Sequence, residues 1–168
     1  MINADGLTLR LWTEADVPAL VAAYADPDLR RWTQLHADTV PAALAWVAVQ
    51  RDGLANRTRY GFAIVGSAGG PILGTVALKR ADPDGPRGEV GYWTTAPARG
   101  RGLAPRAVSV LTDWAFAAFP ELRAIDLRHR LGNLASCRVA VKAGYPLIET
   151  LPPEAPGRDG GHLHTRAA

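Results

Sequence analysis

The chain of 168 residues contains a single cysteine, Cys137, so no disulfide can form within it. The start, Met1-Ile2-Asn3-Ala4-Asp5-Gly6, has no basic flank leading into an apolar run. Without a recognisable secretory signal, a cytoplasmic home is expected. The longest apolar stretch, residues 42–49, falls far short of the roughly 18 residues that a membrane span requires, so no membrane partner is expected. Lysine occurs only at Lys79 and Lys142, leaving arginine to carry most of the positive charge. The formal net charge is only +3, and no long basic block or basic–aromatic stripe is present, which argues against nucleic acid as a partner. No Gly-x-x-x-x-Gly-Lys-Ser/Thr occurs, which excludes a P-loop nucleotidase.

What is present fits one domain over residues 1–168, a length that buries a core without staples. Residues 8–11 alternate as a first strand. Thr13 then caps a helix whose apolar face holds Val17, Leu20 and Val21 and which fades near Asp26-Pro27. Residues 28–38 read as irregular or a short helix, and Thr39-Val40-Pro41 opens a second helix reaching Asp52-Gly53. Residues 60–65 and 72–79 read as paired strands across the turn Gly66-Ser67-Ala68-Gly69-Gly70-Pro71. Residues 89–94 form a third strand of that meander. From Leu103 the period changes, with Ala107, Val110, Leu111, Trp114 and Ala118 at helical spacing until Pro120. A strand over 124–129, a short helix over 133–143 ending at Gly144, and strands over 145–151 and 162–166 complete the chain. A loop rich in proline and glycine separates the last two. The order predicts an α/β (α+β) layer around one sheet.

The segment Arg99-Gly100-Arg101-Gly102-Leu103-Ala104 joins a strand to the long amphipathic helix. A helix N-terminus leaves backbone N–H groups unpaired and carries about half a positive charge, so it favours an anion. Gly100 and Gly102 let the backbone approach a phosphate closely, and Arg99 and Arg101 offer charge-assisted hydrogen bonds. The third glycine of the dinucleotide fingerprint is missing. The plain alternative is a glycine-bearing loop that only turns the chain into its helix.

This segment resembles the (Gln/Arg)-x-x-Gly-x-(Gly/Ala) signature of the GNAT superfamily, the GCN5-related N-acetyltransferases. The preceding Glu89-Val90-Gly91-Tyr92-Trp93 is similar to the branch that includes the ribosomal-protein N-terminal acetyltransferases (RimJ/RimL-like). So are the later block from Asn133 to Tyr145 and the opening from Leu7 to Asp16. The resemblance implies a mixed, mostly antiparallel sheet of six or seven strands with helices on both faces, splayed between the fourth and fifth strands. It implies that the amides of Arg101, Gly102, Leu103, Ala104 and their neighbours cradle the pyrophosphate of acetyl-CoA. Pantetheine would insert beside the strand holding Trp93, Thr94 and Thr95, and Asn133 would touch its arm near the thioester. The segment with Trp32, His36 and Asp38 would help wall the acceptor site, where the alternative is a packing tryptophan with solvated neighbours. Asn133 also suits a plain helix N-cap.

Acetyl transfer to an amine needs a neutral amine, a polarised carbonyl and an exit for the thiolate. A free α-amine has a pKa near 7.7–8 against about 10.4 for lysine, so deprotonating lysine costs about 3–4 kcal/mol more at neutral pH. A sparsely equipped site therefore favours an α-amine. Glu89 is the candidate base, against a solvated or arginine-paired carboxylate. Ser136 is the candidate acid for the thiolate, against a local cap hydroxyl. Many members of the superfamily carry a tyrosine four residues before the helix-ending glycine, where this chain has Ala140. That departure keeps a rival open, a catalytically inactive CoA-binding sensor or assembly module.

Cys137 reads as a small buried hydrophobe rather than a nucleophile. His162 and His164 share one face of the final strand, but third and fourth ligands are not evident, so surface histidines and no metal are expected. The acceptor, a protein N-terminus or a small amine, and the choice of monomer or homodimer are left open.

Overall fold

The computed structural model describes residues 1–4, 6–66, 69–153 and 159–168. Ser67 and Ala68 of the expected turn, and part of the expected final loop, lie outside the described residues. One eight-stranded sheet runs in the order β1 (Ile2–Ala4), β2 (Leu7–Leu11), β3 (Arg59–Gly66), β4 (Gly69–Lys79), β5 (Arg87–Thr94), β6 (Ala124–Arg130), β8 (Gly161–Ala167), β7 (Leu147–Leu151). Every pairing is antiparallel except β5 with β6. The count exceeds the expected six or seven because β1 is only three residues long, defined by its pairing with β2 rather than by any pattern of its own. The last strand also folds back inside β7, so that seven register pairs join β6 to β8.

Among the described residues, five α-helices cover the two faces: α1 (Val17–Tyr24), α2 (Pro27–Trp32), α3 (Val40–Ala55), α4 (Leu103–Ala118) and α5 (Leu134–Lys142). Strand alternation sorts the core. Tyr60, Phe62 and Ile64 of β3 pack with Leu103, Ala107 and Leu111 of α4, while Ala63 and Val65 pack with Val17, Leu20, Trp46 and Val47. Among the described residues, no helix is long and apolar enough to cross a membrane.

The entry to α1 is set by charge. Asp16 closes a short 3-10 turn, accepts from the Thr13 N–H (2.9 Å), and takes both terminal nitrogens of Arg10 at 2.8 and 2.7 Å. Those hydrogen bonds, Arg10 foremost, hold the buried Asp16 carboxyl below the usual carboxylate range against the cost of desolvation. A depressed folded-state pKa stabilises above the unfolded value of about 3.9 and is lost as pH falls through the folded one. Asp16→Asn should therefore lower stability by about 1.5–3 kcal/mol at neutral pH. Urea melts across a pH series should show that deficit closing in acid. A deficit independent of pH would mean that shape, not charge, holds the turn.

Candidate active site

The strand-to-helix turn is built from two glycines in the left-handed region, Gly100 (φ 74°) and Gly102 (φ 69°), the second standing at the N-cap of α4. A Cβ added at either would meet no atom within 4 Å, so the turn faces open space. Among the described residues, the N–H groups of Gly100, Arg101, Gly102, Leu103 and Ala104 donate to no backbone carbonyl. Arg101 is exposed between the glycines. Arg99 has protein partners of its own. Its guanidinium is ion-paired with Asp26, which also caps α2, and lies 3.7 Å from Asp28. Its N–H is occupied by the Ala96 carbonyl at 3.2 Å.

Beside this turn the sheet opens. β5 and β6 pair only through Arg87, Gly88 and Glu89 with Ala124, Ile125 and Asp126. Beyond that point β5 stays with β4 as far as Thr94, and β6 stays with β8 as far as Arg130. Thr95 donates its N–H to the Leu73 carbonyl at 2.9 Å, so by alternation the main chain of Tyr92 and Thr94 faces the opening. Trp93 does not. Its main chain faces β4, and its buried ring packs edge-on to Tyr24 (5.8 Å) and tilted to Trp12 (6.2 Å). The main chain of Trp93 thus points away from the opening that its two neighbours face.

Across the opening, the Tyr92 hydroxyl meets Ser136 Oγ at 2.5 Å. Sequence analysis named Ser136 but missed Tyr92; the alternation of β5 puts Tyr92 on the face of α5, but nothing local announces the bond between the two hydroxyls. Burial pushes the Tyr92 phenol up to about 12. Ser136 is therefore no local cap through its hydroxyl. Asn133 is the cap, its side-chain oxygen accepting from the Ser136 N–H at 3.1 Å. Ala140 is fully buried in the core.

Glu89 sits where the two strands part, on the opposite face. Its carboxylate takes Lys79 Nζ at 2.8 Å and lies 3.9 Å from Arg128 Nε. It lines an open depression of about 770 Å³ together with Asp52, Arg59, Lys79, Asp126 and Arg128. Neither Trp32 nor His36 lines it. A Cβ on Gly132 would stand 3.7 Å from the Trp32 ring, so that tryptophan reaches the loop before α5, while His36 is exposed beside Tyr24.

The two histidines of the last strand are not ordinary surface groups. His164 is completely buried, and the missing third and fourth ligand-type residues come from β6 and α5. The ligand atoms of His129, Cys137, His162 and His164 all lie within 4.8 Å of one another. Burial, reinforced by the neighbouring histidines, holds the His129 pKa below the usual histidine range, against the pull of its bond to the Arg130 carbonyl.

The fold is shared with known transferases. A putative ribosomal-protein-serine acetyltransferase from Vibrio cholerae superposes with a TM-score of 0.86 at 19% identity, covering 99% of this chain and 97% of that one. RimJ from Mycobacterium smegmatis, solved with CoA-disulfide, gives 0.82 at 19% identity over 96% and 82%. Spermidine N-acetyltransferase from Vibrio cholerae, solved with CoA and spermine, gives 0.79 at 14% identity over 96% and 95%. No curated protein sequence matches the chain. Residues 6–146 match the acetyltransferase (GNAT) domain, and the chain belongs to that family.

Proposed function

We propose that this chain, as a single domain over residues 1–168, transfers an acetyl group from acetyl-CoA to a primary amine by direct attack in a ternary complex. The observation that carries the reading is the row of undonated amides from Gly100 to Ala104, at the head of α4 and beside the gap between β5 and β6. Such a row suits a pyrophosphate, and the main chain of Tyr92 and Thr94 suits the amides of pantetheine. The CoA and spermine in the solved relatives support the same assignment of donor and of an amine acceptor.

The hydroxyl pair fixes what the wall can do for the leaving group. Moving the phenolic proton of Tyr92, at about 12, to a thiolate of ordinary pKa near 8.5 is uphill by about 5 kcal/mol. Tyr92 and Ser136 therefore serve as hydrogen-bond donors to developing charge rather than as a full acid. On the other face we assign Glu89 as the carboxylate that takes the amine's proton; Asp52 and Asp126 line the same depression, together with Arg59, Lys79, Arg80, Arg87 and Arg128. The proposed acceptor is a protein N-terminus or a small amine.

Gly102→Glu should abolish CoA affinity, because it puts a side chain and a negative charge where the pyrophosphate lies; calorimetry showing normal affinity would remove the phosphate from this turn. Tyr92→Phe and Ser136→Ala should each lower kcat about 10- to 100-fold with little change in the KM for acetyl-CoA, and the double variant should cost scarcely more than either. Fully multiplicative losses would mean that the hydroxyls act separately. Glu89→Gln should depress turnover most below the amine's own pKa, as read from pH–rate profiles over a panel of amines. Thermal protection of the wild-type chain by acetyl-CoA with no thiol release on any amine would instead identify an inactive CoA-binding module.

A further inference from the structure

The histidine–cysteine cluster is an arrangement that the acetyl-transfer reading leaves unused. His164 Nδ1–H donates to the Tyr145 carbonyl at 3.0 Å, and His129 Nδ1–H donates to the Arg130 carbonyl at 2.9 Å. With both Nδ1 atoms protonated, each neutral ring presents a bare Nε2, and these two atoms lie 3.2 Å apart. Two lone pairs face to face repel unless a cation lies between them. Backbone carbonyls on the distal nitrogens are also the usual means of fixing metal-binding imidazoles. His162 adds a buried Nδ1 with no hydrogen-bond partner among the described residues, and the Cys137 sulfur completes the set from α5.

We propose that His129, Cys137, His162 and His164 form a tetrahedral site for a borderline divalent transition metal, with Zn²⁺ as its occupant. Bonds of about 2.0–2.1 Å to nitrogen and 2.3 Å to sulfur place neighbouring ligand atoms roughly 3.3–3.8 Å apart. The histidine pair at 3.2 Å already meets that spacing, and the widest separation of 4.8 Å closes by about 1 Å of side-chain adjustment. Three imidazoles and a thiolate fill the coordination sphere, which is the pattern of a structural rather than a catalytic zinc. Binding releases the Cys137 thiol proton to solvent. The ion would staple β6 and β8 to α5, the helix that carries Ser136 and is capped by Asn133, and so fix one wall of the opening.

Chain stripped with chelator and titrated with Co²⁺ should take up one equivalent, with the intense visible bands of a tetrahedral site and a thiolate-to-cobalt charge-transfer band. Zn²⁺ should displace the cobalt and raise the thermal midpoint. Cys137→Ser should lose the charge-transfer band and weaken binding at least about tenfold, and His129→Ala should weaken it similarly. Both replacements lie at partly exposed positions, so their folding can be checked by circular dichroism. Weak octahedral spectra, or uptake unchanged in the Cys137→Ser/His129→Ala double variant, would overturn the site and leave a proton as the cation shared by the two rings. None of these readouts depends on acetyl transfer.

Discussion

Three register pairs between β5 and β6 decide where everything else can happen. The parallel ladder ends after Glu89 and Asp126, and past that point each strand keeps its other neighbour but not the first. Buried main-chain groups without partners are costly, so the opening is a standing demand for a hydrogen-bonding ligand of extended shape. The same divergence sets Tyr92 and Ser136 facing one another on one side and Glu89 beside a depression on the other. On the proposed reading, this one interruption in the sheet would separate the groups assigned to the departing sulfur from the group assigned to the incoming amine.

The turn before α4 was legible because its chemistry is local. Two glycines, a change from strand to helical period and a proline in the first helical turn stand within a few residues of each other, and the structure places both glycines at positive φ. Main elements followed from alternation and capping in the same way, as with Thr39, whose hydroxyl accepts from the Ala42 N–H at the start of α3. Pairings between distant segments could not be read so. The Tyr92–Ser136 bond spans 44 residues, and the histidine cluster depends on the last strand folding inside β7. The direction of Trp93 was not legible because a family resemblance speaks for a strand as a whole, whereas alternation sends adjacent residues to opposite edges. Packing against Tyr24 and Trp12 then settles the matter for that ring.

The GNAT fold thus reads as a scaffold with two kinds of fixed polarity. Main-chain amides at the head of α4 supply a positive field that needs no side chain. Side-chain hydroxyls and a carboxylate, held by neighbours such as Lys79, supply groups that a sequence change can retune. The first is independent of any acceptor, which is why the proposed donor site is more plainly written in this chain than an acceptor site.

The pairing of Arg99 with Asp26 ties those two halves together. The guanidinium stands at the edge of the glycine turn before α4, while the carboxylate caps the helix leading to Trp32. An arriving diphosphate and that cap would compete for one cation. If the turn holds a diphosphate as proposed, Arg99 would be the one cation shared between that group and the helix cap at Asp26.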